Sequence, residues 1–333
     1  MRRVKWGVLG VAKIAVEKVI PAMQRGDASE IAAIASRDLG KARAAADRLG
    51  VPRAFGSYED LIADSEIEAV YNPLPNELHA PWTIHALRAG KHVLCEKPIG
   101  LNAEEARSLI EARERSGKIV AEAFMVRCHP QWRRARELAR ARTVGEPRAI
   151  QTFFSYRLFD PENVRNRPPG GGGLYDIGCY AILTARYIFA AEPTRVVATL
   201  DRDPNFRTDR LTNAILEFPG GRHLTFCVAT QLSAHQRVTI VGDAGRIEIV
   251  IPFNAPADRP TEIVIDTGAD LFGGGRRVEQ FAVCDQYTLQ GDAFSRAILG
   301  ETPLEFPIED ALANMRVIDA LFRSAKSGAW EAP

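Results

Sequence analysis

The sequence predicts an α/β protein of two domains: an N-terminal doubly wound parallel sheet and a C-terminal α/β domain built on a large, mostly antiparallel open sheet. Three observations carry this. Short apolar runs alternate with helical patterns through the first third of the chain, as expected of parallel strands covered by helices on both faces. Beyond Gly145-Glu146-Pro147 the pattern becomes a series of strand-like runs parted by turn signals such as Pro219-Gly220-Gly221 and Gly242-Asp243-Ala244-Gly245. The length, 333 residues, suits two domains that each bury a core.

In order, residues 4–9 form the first expected strand and 13–25 a helix. A second strand at 31–35 leads into an Ala-rich helix at 40–49. Short strands follow at 54–55, 69–71, 92–95 and 119–121, with helices at 80–88 and 103–115 between the last three. Right-handed crossovers wind such a series into an open sheet whose carboxyl strand ends line a ligand crevice. This domain is expected over residues 1–125.

The second domain, 126–333, opens with a helix at 131–141. Strands are expected at 149–156, 195–200, 213–218, 224–229, 237–241 and 247–251, interrupted by one helix at 174–189. Helices at 292–299 and 308–325 close the chain, and Gly273-Gly274-Gly275 reads as a mobile loop tip. There is no internal repeat and no low-complexity segment.

Composition narrows the function classes. Forty-three Lys and Arg against 42 Asp and Glu leave a formal net charge of +1, which argues against nucleic-acid or anionic-membrane binding through bulk charge. The five cysteines form no C-x-x-C pair, so free thiols in a reducing compartment are expected. No apolar run approaches the ~20 residues of a membrane span. The apolar stretch after Arg2-Arg3 is too short for an export signal, and a cytoplasmic location is expected. No His/Cys/Asp cluster has metal-ligand spacing, so no metal is expected.

Between the first strand and first helix stands Gly10-Val11-Ala12-Lys13-Ile14-Ala15, a G-x-G-x-x-G/A pattern with Ala12 at its middle glycine. Such a turn brings backbone N–H groups and a helix N-terminus to a pyrophosphate. The second strand ends in Ser36-Arg37-Asp38, with Lys41 beyond. A carboxylate there would bind the ribose hydroxyls of NAD; a hydroxyl and a guanidinium suit a 2′-phosphate instead. NADP is the expected cofactor.

The fifth strand runs into Cys95-Glu96-Lys97-Pro98. The stretch Ala89-Gly90-Lys91-His92-Val93-Leu94-Cys95-Glu96-Lys97-Pro98 resembles the signature of the glucose–fructose oxidoreductase / inositol dehydrogenase (Gfo/Idh/MocA) family. So do Asn76-Glu77-Leu78-His79, Glu122-Ala123-Phe124-Met125 with His129-Pro130-Gln131, and Gly171-Gly172-Gly173-Leu174-Tyr175-Asp176-Ile177-Gly178-Cys179-Tyr180. These matches span Gly7 to about Tyr180; beyond them only the strand pattern is similar. Tyr180 stands where inositol-dehydrogenase-like members carry histidine, so the chain is most similar to the subgroup with dimeric dihydrodiol dehydrogenase and aldose dehydrogenases.

The resemblance implies catalytic roles for Lys97, Asp176 and Tyr180. It implies a cofactor site of Gly10, Ala12, Lys13, Ile14, Ser36, Arg37, Lys41, Tyr71, Pro73, Leu74, Asn76, His79, Glu96 and Lys97. A homodimer through the C-terminal sheet is implied too, and an open sheet face needs cover in any case.

The chemistry is consistent with this set. Oxidising a carbinol requires a base within ~2.6–3.2 Å of its hydroxyl. A tyrosine of pKa ~10 needs a nearby ammonium to serve at neutral pH, which pairs Lys97 with Tyr180. Asp176 would hold Lys97 or bind a second sugar hydroxyl, and Arg157 and Arg165 would border the substrate mouth. Trp82 and Trp132 read as core residues or as an aromatic wall for a ring. The expected function is NADP-dependent hydride transfer at a cyclic sugar or polyol, at C1 of an aldopyranose to give the lactone. The alternatives are a trans-dihydrodiol dehydrogenase and a non-catalytic dinucleotide-binding regulator; Lys97, Asp176 and Tyr180 together argue against the latter. Which sugar is used, and whether NADP stays tightly bound between half-reactions, the sequence leaves open.

Overall fold

The computed structural model describes residues 2–333, which divide into two compact units. The first comprises residues 2–125 with Asp285–Leu312, the second Val126–Cys284 with Ala313–Pro333.

In the first unit, β1 (Val4–Leu9) leads into a π-helical turn, Ala15–Val19, continued by α1 (Ile20–Gln24). Then come β2 (Ser29–Ala35), α2 (Leu39–Leu49), β3 (Arg53–Phe55), α3 (Tyr58–Ala63), β4 (Ala69–Asn72), α4 (His79–Arg88), β5 (His92–Cys95), α5 (Ala103–Ser116) and β6 (Val120–Glu122). The strands pair in parallel in the order β3-β2-β1-β4-β5-β6. Strand order reverses beside β1, and ligands of doubly wound sheets bind outside the strand ends at that point. All four residues of β4 are buried, as an apolar run covered on both faces should be. The sequence analysis missed α3, a six-residue helix whose start is fixed by Ser57 Oγ accepting from Asp60 N at 3.0 Å.

The second unit contains α6 (Pro130–Arg140), β7 (Pro147–Arg157), a π-helical turn over Leu174–Gly178 and α7 (Cys179–Phe189). The strands β8 (Arg195–Arg202), β9 (Asp209–Phe218), β10 (Arg222–Ala229), β11 (Gln231–Gly242), β12 (Gly245–Ile249), β13 (Thr261–Asp266) and β14 (Arg276–Phe281) follow. With β7 they form one sheet in the order β14-β13-β12-β11-β7-β10-β9-β8, antiparallel except where β10 pairs with β7. The last two strands, β13 and β14, were not expected. Every residue of α7 is buried, Thr184 and Arg186 included, so the helix is covered on all sides rather than on one face. Residues alternate along the strands: Ile150, Phe154, Leu216, Leu224 and Phe226 are buried, while Gln151, Ile215 and Thr225 lie on the opposite, open face.

After β14 the chain returns to the first unit with α8 (Gln286–Ile298), and α9 (Ile308–Ser327) closes the series. This corrects the expected boundary, which gave everything past residue 125 to the second domain. Phe294 of α8 packs on Trp6 with ring centroids 5.5 Å apart, and Trp6 Nε1 donates to Ser295 Oγ at 3.0 Å. Asp292 accepts from the backbone N–H groups of Asp27 and Ala28 at 3.1 and 3.0 Å. Residues distant in sequence thus complete the core of the parallel-sheet unit.

Candidate active site

The first unit gathers the expected cofactor residues at the carboxyl ends of its strands. Gly10 follows β1 with φ +86°, a conformation glycine adopts without penalty, and its N–H donates to Ala35 O at 2.8 Å. The helical turn starts at once, Val16 N donating to Ala12 O at 3.1 Å. Among the described residues no side chain caps this helix end around Ile14, and an uncapped helix start can serve an anion. Lys13 is exposed and forms an ion pair with Glu17 at 4.0 Å.

Past β2, Ser36 is buried and its Oγ accepts from Asp38 N at 3.3 Å. Asp38 is occupied as the N-cap of α2, its carboxylate accepting from Lys41 N at 3.1 Å. The side chains of Arg37 and Lys41 are exposed and, among the described residues, make no hydrogen bond or ion pair. The end of β2 therefore offers one buried hydroxyl and two uncommitted cations, and no uncommitted carboxylate.

At β4 and β5 the side chains are tied together. Tyr71 donates its hydroxyl proton to Glu96 Oε1 at 2.6 Å, and burial followed by the Glu96 charge pushes the phenol pKa well up. Asn72, which the sequence analysis did not single out, is fully buried; it donates to His79 O at 3.1 Å and Thr83 Oγ1 at 3.2 Å and accepts from Leu74 N. Pro73 and Leu74 lead to a 3₁₀ turn that begins at Asn76. The buried His79 ring reaches two backbone carbonyls, Pro98 O and Leu74 O, each at 2.7 Å. Those acceptors favour a charged ring, but burial outweighs them and, with the Lys97 charge, holds its pKa down to about 4. Lys97 follows the end of β5, in a cis peptide with Pro98, and Ile99 N donates to Glu122 Oε1 at 2.8 Å. Lys97 is thus placed in a turn braced by His79 and Glu122.

The second unit holds Asp176 and Tyr180, four residues apart on one face of the helical turn entering α7. Asp176 accepts from the Tyr156 hydroxyl at 2.5 Å through Oδ2 and faces Arg165 Nε at 3.1 Å through Oδ1. Tyr156, from β7, was missed; it sits on the same strand face as Phe154 and is identifiable only from that alternation. Its phenol pKa is raised by burial and by the Asp176 charge, and that charge also raises the pKa of Arg165. Tyr180 is buried against Phe154 and Phe253, with ring centroids at 6.2 and 5.4 Å. Phe253 stacks in turn on Phe154 and Trp132. Arg157 is not brought to this cluster: alternation along β7 sends it to the other face from Tyr156, and its guanidinium lies 5.4 Å above Phe159.

Among the described residues, no group of three His, Cys, Asp or Glu side chains is placed to hold a metal ion, and no helix is long and apolar enough to cross a membrane.

Comparison with known proteins matches residues 4–124 to the oxidoreductase family with an NAD-binding Rossmann fold, and residues 132–248 to the GFO/IDH/MocA C-terminal domain. The chain is 48% identical to an uncharacterized oxidoreductase of Rhizobium meliloti, covering 99% of each. It is 40% identical to a D-xylose 1-dehydrogenase (NADP(+)) of Haloferax volcanii, over 97% of this chain and 98% of that one. Among solved structures, the aldose-aldose oxidoreductase of Caulobacter crescentus superposes with a TM-score of 0.91 at 26% identity, covering 100% of both chains. With family models matching 4–124 and 132–248, and a relative at 40% identity aligned along nearly its whole length, the chain belongs to the Gfo/Idh/MocA family of oxidoreductases.

Proposed function

We propose that this protein is an NADP-dependent oxidoreductase moving a hydride between the nicotinamide and a cyclic sugar or polyol, oxidising C1 of an aldopyranose to the lactone. The observation that carries the reading is the turn that presents Asp176, tied to Arg165 and Tyr156, one helical turn before the buried Tyr180. The sugar-dehydrogenase names of the relatives support the substrate class.

The residues of the first unit fit NADP. Gly10, Ala12, Lys13 and Ile14 form an uncapped helix start for the pyrophosphate. Arg37 and Lys41, uncommitted beside Ser36, suit the 2′-phosphate. Tyr71, Pro73, Leu74, Asn76, His79, Glu96 and Lys97 border the remaining strand ends. When bound, NADP supplies the hydride acceptor or donor.

Tyr180 takes the hydroxyl proton in oxidation and returns it in reduction. Lys97 is assigned as the ammonium that favours the phenolate and donates to the substrate oxygen as charge develops; this pairing rests on the sequence motifs. Asp176, facing a guanidinium, is a charged acceptor for a second sugar hydroxyl. The aromatic stack of Phe154, Phe253 and Trp132 beside Tyr180 favours a second reading, a trans-dihydrodiol whose ring would lie against that wall.

A homodimer through the open face of the eight-stranded sheet completes the reading. Val197, Ile215, Thr225, Gln151 and Thr239 form a row across five adjacent strands of that face, and Ile215 is exposed. A cytoplasmic location is assigned from composition alone.

One assay tests the function. Purified protein is scanned for the near-ultraviolet band of reduced nicotinamide, then mixed with NADP⁺ or NAD⁺ and a panel of aldoses and trans-dihydrodiols. Turnover of an aldose with NADP⁺ is expected; turnover of dihydrodiols alone selects the second reading, and no turnover of any member overturns both.

A further inference from the structure

A buried carboxylate outside the assigned site grips the glycine run ahead of it. Asp209 opens β9 and is 1% exposed. Its Oδ2 accepts from Leu174 N at 2.6 Å and from Thr212 Oγ1 at 3.0 Å. Gly172, at φ +118°, lies so close that a Cβ there would fall 2.0 Å from Asp209 Oδ1. The same glycine donates its N–H to Arg165 O at 2.9 Å, while its carbonyl accepts from Asp176 N at 3.0 Å. Gly171 is equally confined, since a Cβ would meet Arg165 O and Arg167 O at 2.5 and 2.6 Å. One residue therefore sets the backbone from which both partners of the Arg165–Asp176 pair project.

We propose that Asp209 is a positioning residue for the sugar site: its carboxylate fixes Gly172–Leu174, and through them the placement of Arg165, Asp176 and Tyr180. This rests on the reading of Asp176 and Tyr180 given above. The need for glycine at 171 and 172 follows from the same packing, because any side chain would displace either the carboxylate or the Arg165–Arg167 turn.

The clamp is sensitive to protonation. The groups facing Asp209 are Thr212 on its own strand, Arg202 opposite it on β8, the Leu174 N–H from the helical turn, and Tyr156 on β7, itself bonded to Asp176. Burial outweighs the donors and Arg202, raising the Asp209 pKa to about 6. Above that pH a charged oxygen receives the Leu174 N–H; below it the acceptor is neutral and the hold weakens.

The test compares Asp209→Asn and Asp209→Ala with the unaltered full-length protein. Each is assayed with NADP⁺ and D-xylose or D-glucose across pH, and amide hydrogen exchange is followed over residues 170–178. Misplacement of reacting groups costs up to about 10²-fold, so Asp209→Ala should lose roughly 10–100-fold in kcat with KM for NADP⁺ unchanged. Asp209→Asn, which keeps an acceptor oxygen, should stay within about threefold above neutrality. In the unaltered protein, exchange at Leu174, corrected for the intrinsic rate, should rise as pH falls through about 6, and in Asp209→Asn it should not. The same exchange profile in both proteins, or full kcat in Asp209→Ala, overturns the proposal. If no member of the aldose and trans-dihydrodiol panel is turned over by the unaltered protein, the reading of the site fails, and the exchange comparison alone then decides whether Asp209 holds the turn.

Discussion

Asp176 shares its carboxylate between two partners of its own unit: Arg165 Nε lies 3.1 Å from one oxygen, and the Tyr156 hydroxyl donates to the other. Both contacts come from the same unit and fix the direction of the carboxylate.

Removing the partners of Asp176 should reveal this arrangement. A hydrogen bond to a charged group contributes about 1.5–3 kcal/mol, so Arg165→Met should lower kcat/KM for the sugar by roughly 10–100-fold. Tyr156→Phe should cost less, and KM for NADP⁺ should be unchanged in both. Steady-state kinetics decides; an equal rise in KM for NADP⁺ would place Arg165 in cofactor binding instead.

Cofactor choice should rest on the cations at the end of β2. Arg37 and Lys41 make no contact of their own among the described residues, while Asp38 is spent on capping α2. NADP should bind about 10–100-fold more tightly than NAD, and Arg37→Asp should abolish or reverse the preference. Titration of both cofactors against cofactor fluorescence checks this, and equal affinities in the unaltered protein would refute it.

Tyr180 should carry the proton. General acid–base catalysis contributes about 10²–10⁴-fold, and Tyr180→Phe should lose kcat in that range with NADP affinity intact. Lys97→Met should do comparable harm and shift the alkaline limb of the pH–rate profile upward. Retention of more than about a third of kcat in Tyr180→Phe, with hydride transfer rate-limiting, would send the proton elsewhere.

Stability should fall on mild acidification. Burial pushes His92 and His129 down to about 4. Both are neutral in the folded protein, whereas the unfolded chain takes up protons near its ordinary pKa of about 6.5. Their contribution is therefore complete above that pH and is lost progressively toward pH 4. His129 also caps α6 by accepting from Gln131 N at 3.2 Å. His129→Asn keeps an acceptor there without the titration, so its urea midpoint should depend less steeply on pH than that of the unaltered protein. An identical slope would show that His129 titrates alike in the folded and unfolded chain.

What could be read from the sequence was what is local. Asp176 and Tyr180 lie four apart on one helical stretch, and Gly10 and Lys97 follow the ends of their own strands, so periodicity and motif single them out as candidates. Tyr156, Arg165 and Asp209 reach the same turn from a strand, a loop and another strand, and no spacing encodes their meeting. β14 escaped notice because it is an edge strand whose exposed Arg276 and Arg277 carry none of the alternation of a half-buried strand. β13 is a plainer omission, since Ile263, Val264 and Ile265 form an apolar run. The return of α8 to the first unit depends on Trp6 and Ser295 finding each other across 289 positions, which no window of sequence contains.

That return has a consequence for the chain as it leaves the ribosome. The parallel-sheet unit begins at the N-terminus, yet its Trp6 indole and the backbone N–H groups of Asp27 and Ala28 find their acceptors only on α8. About 160 residues of the second unit must be made in between, a wait of roughly 10–30 s at ordinary rates of synthesis. During that interval the nascent sheet exposes an apolar patch around Trp6 that α8 later covers. The second unit, which closes with α9, can finish only after the first has received its last helix, so the order of synthesis and the order of completion are interleaved.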